Sequence, residues 1–539
     1  MAARAELPSL AGKSLRSLGL TTTTMLRLFN AGLADLDAHG TPYPYLAEAL
    51  PQLNTDSWQV LPDGRMVTTY RLKPNLTWHD GQPLTADDFV FAYEVYSNKD
   101  FGLSNLAPLD QMEGIDAPDP RTVVVRWKQP YFAAGQLGWG GTNNSTSTIP
   151  SLPPLPRRLL EASYQQTLGN PEAFVGLPFW TTEYVGAGPY RLDRWEAGSF
   201  IEGVPFDNYV LGRPKIPRIR IAIIPDPNTV VANMLAGEAH IAVDDSVRFE
   251  QGAVLKQQWE ARGTPGNLLA YPELWRWTQV QQRPELATPR SLTDPRVRQA
   301  LTHAVDRQAL NDVLFGGQGV MTETPVQPTV DYYAQVDAAI TKYPYDLRRS
   351  EALMREAGYT KGSDGVLVSA SGERFATELN VLASAQNQNE MSIMASGLRQ
   401  AGFDMKEVVW STAQGADPEV RNTFPGLSTT SGTGGEADLV PYRTANIPRA
   451  ENRWQGLNRG GWVAPPEYDQ VASSFFATLD RGERNQHIVQ MARAYTQNAV
   501  VIGLYFNLGV IPSVAGLTGV QRPAPDVSPS WNVQDWEFH

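Results

Sequence analysis

A strand–helix–strand pattern in residues 218–243 constrains the fold of this chain more than any other local feature. Apolar residues alternate through 218–224, which predicts a strand. Asp226 and Pro227 then form a typical helix start, with an aspartate as N-cap and proline in the first turn. The helix is predicted to run through about Leu235 and to end at Gly237, before a second strand at 240–243. Two strands joined by a helix indicate an α/β layered fold.

A second region, residues 294–410, repeats this rhythm and indicates a second lobe. Asp294 and Pro295 form the same kind of helix start, and the apolar stripe after them predicts one helix that ends near Gly316 and Gly317. The chain has 539 residues, far more than one ordinary domain, so two or more lobes are expected. The other predicted elements are helices at 347–356, 389–400 and 484–498, and strands at 378–382, 408–410, 500–506 and 509–512.

The composition excludes several classes of function. The chain contains no cysteine, so disulfides, thiolate metal sites and cysteine nucleophiles are excluded. Its formal net charge of −12 disfavours nucleic acid or an anionic membrane surface as a partner. No apolar stretch reaches the length of a membrane-spanning helix, and residues 1–6 lack the hydrophobic core of a secretion signal.

The segment from His79 to Asp88 resembles a metal site at first sight, but its pattern favours a structural role. His79 and Asp80 precede Gly81, which can adopt the positive φ of a tight turn. Thr85 is placed to N-cap a helix, with Asp88 at the acidic position of a capping box. We therefore predict a turn and a helix start here, and no metal ligand.

The common sequence motifs of catalysis are absent from this chain. The sequence contains no Gly-x-Ser-x-Gly, no His-Glu-x-x-His and no Gly-x-x-x-x-Gly-Lys-Ser/Thr motif. Glu183, Asp193 and Glu196 could pair as in a glycosidase, but surface positions are expected for them. The sequence therefore predicts a binding protein that is not an enzyme and needs no cofactor, and a secreted hydrolase is the alternative from another class.

Two tracts rich in glycine, serine and threonine, 138–156 and 426–435, are longer than minimal connections. Loops of this length inside compact domains tend to be functional or disordered, so both are predicted to be irregular loops that bind ligand or lie on the surface.

Four ordered segments carry a resemblance to a known family. The stretch LKPNLTWHDGQPLTADDFVFAYE, residues 72–94, is similar to the signature of the family 5 extracellular solute-binding proteins, which serve peptide, nickel and opine ABC importers. The other similar segments are 45–48 with Trp58 and Asp63-Gly64; 186–190 with 223–227 and 235–238; and 294–301 with 304–307.

The resemblance implies a two-lobed α/β fold of the periplasmic-binding-protein type (type II, large cluster), with two hinge crossings and a solute held between the lobes. The implied bounds are 1–276 for lobe I, with an extra subdomain at about 45–180, then 277–504 for lobe II and 505–539 for the return to lobe I. It also implies an ABC permease as partner, a monomer, and a periplasmic or extracellular location, with a secretion signal and often a lipidated cysteine expected upstream. A cytoplasmic protein is the competing interpretation of residues 1–6. A sensor that presents its closed form to a receptor is a further alternative.

Position within that layout gives the candidate ligand contacts. They come from the first strand region and the Gly-rich loop of lobe I, the first crossing, and the second tract of lobe II with the segment beyond it. The candidates are Thr23, Thr24, Trp139, Asn143, Asn144, Tyr271, Trp275, Trp277, Phe424, Ser428, Thr429, Thr430, Asn458 and Trp462.

One departure from the family bears on the ligand. Peptide-binding relatives often carry an aspartate that pairs with the peptide's amino group, where this chain has Phe424 to Thr430 with hydroxyls in place of the acid. Glu436 or Asp438 could supply that acid. An oligopeptide remains the first expectation because the resemblance implies peptide as the commonest ligand of the family. An oligosaccharide is a close alternative on the residues, and nickel is disfavoured because no histidine cluster is present.

Overall fold

The computed structural model describes residues 1–15, 23–140, 150–264, 266–524 and 527–539, except for the side chains of Thr23 and Glu436. The chain forms two compact units. Unit 1 comprises Met1–Tyr271, Phe476–Leu479 and Gly509–His539, and unit 2 comprises Pro272–Phe475 and Asp480–Leu508. None of the described helices is both long and apolar enough to span a membrane.

Unit 1 contains two four-stranded sheets, with orders β1-β10-β9-β8 and β4-β5-β7-β6. Its elements, up to the strand that leaves it, are β1 (Ala2–Ala3), α1 (Thr23–Phe29), β2 (Ala34–Leu36), β3 (Pro42–Pro44), β4 (Trp58–Val60), β5 (Met66–Arg71), α2 (Ala86–Ser97), β6 (Met112–Asp119), β7 (Thr122–Trp127), α3 (Arg157–Gln166), α4 (Pro171–Val175), β8 (Tyr190–Glu196), β9 (Phe200–Pro205), β10 (Ile219–Ile223), α5 (Pro227–Ala236), α6 (Phe249–Arg262) and β11 (Gly266–Val280).

Unit 2 is built on a six-stranded sheet of order β12-β18-β11-β17-β15-β16. Its elements are α7 (Pro295–His303), α8 (Arg307–Phe315), β12 (Val320–Met321), α9 (Tyr333–Ala339), α10 (Leu347–Glu356), β13 (Tyr359–Lys361), β14 (Leu367–Ser369), β15 (Ala376–Leu382), α11 (Ala385–Ala401), β16 (Asp404–Trp410), α12 (Thr412–Ala416), α13 (Pro418–Asn422), β17 (Leu427–Gly432), α14 (Pro466–Ser474), α15 (Arg481–Gln497) and β18 (Val501–Val514). The chain ends in unit 1 with β19 (Leu517–Thr518) and β20 (Glu537–Phe538).

Two long strands carry the chain between the units. The division falls between Tyr271 and Pro272 within β11, and between Leu508 and Gly509 within β18. The predicted lobe bounds, 1–276, 277–504 and 505–539, stay predictions.

The strand–helix–strand pattern is largely confirmed. Asp226 accepts a hydrogen bond from the Thr229 amide at 2.7 Å, and Gly237 ends α5 in the left-handed conformation. The predicted strand at 240–243 is wrong as a regular strand, because this segment makes only isolated bridges, Ala2 to Ala242 and Ile241 to Ser513. Positive φ angles at Asp244 and Asp245 turn the chain away directly after it.

The capping box at the start of α2 is confirmed. Thr85 and Asp88 make both reciprocal bonds, and Asp88 also accepts from the Trp78 indole at 3.2 Å and from the Arg157 amide at 3.0 Å. His79 accepts from the Gly186 amide through Nδ1 at 3.2 Å, which leaves Nε2 to donate to the Gly188 carbonyl at 3.0 Å. Burial lowers the pKa of His79 to about 4, so this histidine is a neutral structural contact.

Two predictions for unit 2 are wrong. The single helix predicted after Pro295 is two helices, α7 and α8, because Asp306 caps a new helix by accepting from the Ala309 amide at 2.9 Å. The tract 426–435, predicted to be an irregular loop, contains β17, which pairs antiparallel with β11 and parallel with β15. Helix α11 also begins earlier than predicted, at Ala385, since Ser384 caps it.

Candidate functional site

Two stacked tryptophans form the main aromatic surface among the candidate residues of unit 2. Trp275 and Trp277 are two positions apart on β11, so both side chains lie on one face of the sheet. Their ring centroids are 4.3 Å apart with an interplanar angle of 20°. Trp275 is 1% exposed and contacts Tyr495 of α15, whereas Trp277 is half-buried. Trp277 therefore carries the accessible part of this aromatic surface.

The neighbouring strand β17 explains the composition of the second Gly/Ser/Thr tract. Gly432 lies opposite Trp275, and Thr430 lies opposite Trp277. A Cβ at Gly432 would lie 2.9 Å from the Trp277 ring, so glycine leaves room for the stack. Thr430 is half-buried, and the register places it directly across from Trp277 on the same face of the sheet.

Both indole N–H groups are buried, and neither has a hydrogen-bond acceptor among the described residues. A buried donor without an acceptor costs about 1–3 kcal/mol.

The opposite face of the sheet is held by a buried ion pair. The Arg276 guanidinium contacts the Glu390 carboxylate of α11, and Tyr505 of β18 donates to the same carboxylate at 2.8 Å. Burial disfavours the charge of Arg276, yet the Glu390 carboxylate raises the pKa of Arg276 above its ordinary value. Thr429 belongs to this face, where its hydroxyl bonds that of Thr278 at 2.8 Å, so it supports the sheet.

The remaining candidates of unit 2 lie at the other end of β11. Trp275 is near the start of unit 2, whereas Gln281 follows the end of β11 and donates to the Phe424 carbonyl at 2.7 Å. Four residues of strand from Trp277 to Gln281 span about 13 Å. Asn458 uses its side chain to bind backbone groups of Tyr442, Arg443 and Trp462, and Trp462 packs edge-on against Tyr468. In the structure, Phe424, Asn458 and Trp462 thus lie apart from the aromatic surface that contains Trp275, Trp277 and Thr430. Ser428, which is buried opposite Gln279, lies between the two groups.

In unit 1, Trp139 belongs to a buried polar network. Its indole donates to Asp35 at 3.1 Å, and Asp35 is paired with Arg27 at 2.8 Å. Arg27 also donates to the Tyr209 hydroxyl at 3.1 Å and lies over the Tyr45 ring. With its polar atom engaged and 6% of its surface exposed, Trp139 holds the segment after Leu137 against β2.

Thr24 lies at the start of α1, beside a buried acid. Its amide donates to Asp244 at 3.3 Å, and its carbonyl accepts from the Ser530 hydroxyl at 2.7 Å. Burial raises the pKa of Asp244 to about 7, and the hydrogen bonds from Thr24 act in the opposite direction. The Oδ2 atom of Asp244 is buried and has no partner among the described residues.

Tyr271 is half-buried at the end of unit 1 and packs against Gly509, where a Cβ would lie 2.7 Å from its ring. Asn143, Asn144 and the side chain of Thr23 lie outside the described residues. Their predicted ligand contacts, like those of the other candidates, stay predictions.

Sequence reasoning missed two polar groups that the structure makes prominent. Asp244 follows a short apolar segment as the first of two aspartates, and that pair was the available signal. The Arg276–Glu390 pair had no signal, because 114 residues separate its partners in sequence. No group of three or more His, Asp or Glu side chains within the described ranges is placed to hold a metal ion.

Comparisons with known proteins give the family. Residues 48–444 match the bacterial extracellular solute-binding proteins, family 5. The chain is 26% identical over 445 residues to the glutathione-binding protein GsiB of Pectobacterium atrosepticum, covering 80% of this chain and 75% of that protein. It is 24% identical over 395 residues to the oligopeptide-binding protein AppA of Bacillus subtilis, covering 71% and 67%.

Solved structures show the same fold. The oligopeptide-binding protein of Thermus thermophilus, complexed with a pentapeptide, superposes with a TM-score of 0.75 at 21% identity, covering 100% of this chain and 96% of that one. NikZ of Campylobacter jejuni, in complex with Ni(L-His), gives a TM-score of 0.74 at 21% identity, covering 99% and 98%. The expected two-lobed α/β fold is thereby confirmed. The chain belongs to the bacterial extracellular solute-binding proteins, family 5.

Proposed function

We propose that this protein captures an oligopeptide as the solute-binding component of an ABC importer, and that the surface formed by Trp275, Trp277 and Thr430 contacts the peptide. The observation that carries this proposal is the half-buried Trp277 ring, which is stacked on Trp275 and lies across the sheet from Thr430. Peptide main chains supply regularly spaced carbonyl acceptors, and an indole gives apolar contact at low entropic cost.

A second feature favours a peptide over a neutral ligand. Asp438 lies six residues after β17 and accepts a hydrogen bond from the Thr433 hydroxyl at 3.2 Å. Asp438 is half-buried, and in sequence it lies close to β17, the strand that contributes Thr430 to the aromatic surface. We assign to Asp438 the role of pairing with the free amino group of the peptide, because a charge-assisted bond of this kind is strong and specific.

An oligosaccharide is the second candidate. The hydroxyl groups of β17 and the stacked indoles also suit a neutral hydroxylated ligand, and the acid that peptide-binding relatives often carry is absent at 424–430.

For either ligand, the partner would be a transmembrane permease with its ATPase, reached by a monomer at the periplasmic or outer face of the membrane.

Replacement of Trp277 by Ala tests the role of the indole ring. The variant W277A removes the half-buried ring that would give apolar contact with the peptide, so the dissociation constant of a bound peptide should rise by about tenfold. Isothermal titration calorimetry measures this. The matched control is W195A, which removes a half-buried tryptophan of unit 1 and should leave peptide affinity unchanged. Equal affinity of W277A and the parent protein would remove Trp277 from the site.

A further inference from the structure

Unit 1 contains a cavity of about 770 Å³ beside β10. Its walls come from β10, from the segment that follows α5, and from the antiparallel pair β19 and β20. The residues that line it belong to unit 1, whereas the aromatic surface around Trp277 belongs to unit 2. Pockets that bind small molecules have volumes of about 300–1,000 Å³, so this cavity is large enough to hold one.

The buried part of the lining is apolar. Leu517 and Trp536 are almost fully buried, and Ile216 is half-buried. Phe538 is exposed, and its ring packs edge-on against the His240 ring with the centroids 5.1 Å apart. This lining favours a ligand with an apolar or aromatic body.

The β10 wall of the cavity carries a positive charge. The Arg220 guanidinium lies over the Phe200 ring, 3.8 Å from its centroid, and this contact holds it in place. The carboxylate of Glu202 is 3.8 Å from Arg220 and is shared with Arg218 at 3.2 Å. A distance of 3.8 Å is too long for a hydrogen bond, so the exposed Arg220 guanidinium can donate to the carboxylate of a ligand.

The wall that follows α5 carries a negative charge. Glu238 directly follows Gly237, the residue that ends α5, and is exposed. Its carboxylate makes no ion pair within the described part of the chain. The C-terminal end of a helix also carries a partial negative charge. Both features favour an ammonium group at this wall.

Strand β1 sets the distance between the two walls. Ala2 pairs with Ala222 of β10 on one side and forms a bridge with Ala242 on the other. Two residues earlier on each wall lie Arg220 and His240. Their backbones are therefore about two strand spacings, or about 10 Å, apart. The positive and the negative side chain thus line one cavity from opposite walls.

We propose that this cavity binds an apolar α-amino acid, with its carboxylate on Arg220, its ammonium group on Glu238 and its side chain against the apolar lining. Such a ligand carries both charges and an apolar group on one carbon atom, so it matches the two walls and the buried lining together. Charge-assisted contacts orient it, and apolar contact adds affinity. Because the cavity lies within unit 1, this inference does not depend on the proposed function.

Isothermal titration calorimetry with L-phenylalanine tests the proposal. The parent protein is expected to bind L-phenylalanine in a saturable manner. Phenylpropionate lacks the ammonium group and phenylethylamine lacks the carboxylate, so each should bind at least about tenfold more weakly. In R220Q and E238Q the dissociation constant of L-phenylalanine should rise by about tenfold, since each variant loses one charge-assisted contact. I216W, which narrows the cavity and keeps both charges, should also weaken binding.

Four further variants serve as controls. W277A alters the proposed solute surface of unit 2 and should bind L-phenylalanine as the parent does. R191Q and E250Q remove exposed charges elsewhere in unit 1 and should leave the dissociation constant unchanged. R220K keeps the charge but not the planar donor set, so its affinity should lie between those of the parent and R220Q.

Any of three results would overturn the proposal. The first is no saturable binding of L-phenylalanine to the parent protein. The second is binding that W277A loses and that R220Q and E238Q retain, which would place the amino acid on the aromatic surface of unit 2. The third is equal affinity for L-phenylalanine, phenylpropionate and phenylethylamine, which would show that neither charged wall contacts the ligand.

Discussion

Among single residues, Asp244 is the one whose ionisation gives the most direct test, through the pH dependence of stability. Its carboxyl oxygen Oδ2 is buried, and burial raises the pKa of Asp244 from 3.8 to about 7. In the unfolded chain the carboxyl loses its proton near pH 4. The folded protein therefore binds more protons than the unfolded chain between about pH 4 and 7, so the free energy of unfolding falls as the pH rises through this window.

We predict that D244N removes this pH dependence. The amide resembles the protonated acid, so D244N should match the parent near pH 4 and exceed its free energy of unfolding at pH 8 by up to about 4 kcal/mol. Denaturant unfolding across pH 4 to 8 measures the difference. E250Q, a change at an exposed acid of α6 in the same unit, is the control and should keep the slope of the parent. Parallel stability profiles of D244N and the parent would show that Asp244 does not titrate in this range.

The candidate site also shows where residue-level prediction from sequence ends. The resemblance to the family predicts Trp275, Trp277 and Thr430 as ligand contacts, and the strand register places these residues beside one another. The resemblance also predicts Asn458 as a ligand contact, but the side chain of Asn458 is hydrogen-bonded to backbone groups of the protein. Sequence cannot separate these cases, because the partners of a polar side chain come from distant segments.

At the scale of elements, the start of α2 shows how one side chain can fix several segments. Asp88 accepts from the Thr85 amide at 2.9 Å, from the Trp78 indole and from the Arg157 amide at the start of α3. The cap therefore joins the turn at residues 79–83 to two helices. This is more than the single capping box that the sequence predicts.

We predict that D88A lowers the free energy of unfolding of unit 1 by about 2–3 kcal/mol, because three donors lose their acceptor. D87A removes the exposed neighbouring acid from the same helical turn and should change stability by less than about 0.5 kcal/mol. Chemical denaturation followed by tryptophan fluorescence compares the two. Similar losses in D87A and D88A would reduce the role of Asp88 to a general effect of charge at the helix start.

Element boundaries were predictable where local chemistry sets them. Asp226 and Asp294 before proline mark the starts of α5 and α7, and Gly237 and Gly402 mark the ends of α5 and α11. The break between α7 and α8 was missed because the apolar stripe continues past it. β17 was missed because Ser, Thr and Gly are typical of loops, and only pairing with β11 and β15 makes this segment a strand.

At the scale of the whole molecule, the two-unit organisation followed from length and from the repeated α/β rhythm, and the family followed from four ordered segments. What the sequence could not provide is the solute. The tryptophan pair and Asp438 favour an oligopeptide, whereas the missing acid at 424–430 favours a neutral ligand. The expectation that two lobes close on the solute also stays a prediction.

Thermal unfolding in the presence of free peptides, their N-acetylated forms, oligosaccharides and nickel chelates tests the proposed capture of an oligopeptide. A ligand that binds only the folded state stabilises it by about 2.7 kcal/mol at 100 times its dissociation constant. We predict a clear rise in the melting temperature with free peptides, a smaller one with N-acetylated peptides, and loss of this distinction in D438N. A rise with oligosaccharides alone would show that the protein binds a sugar and not a peptide.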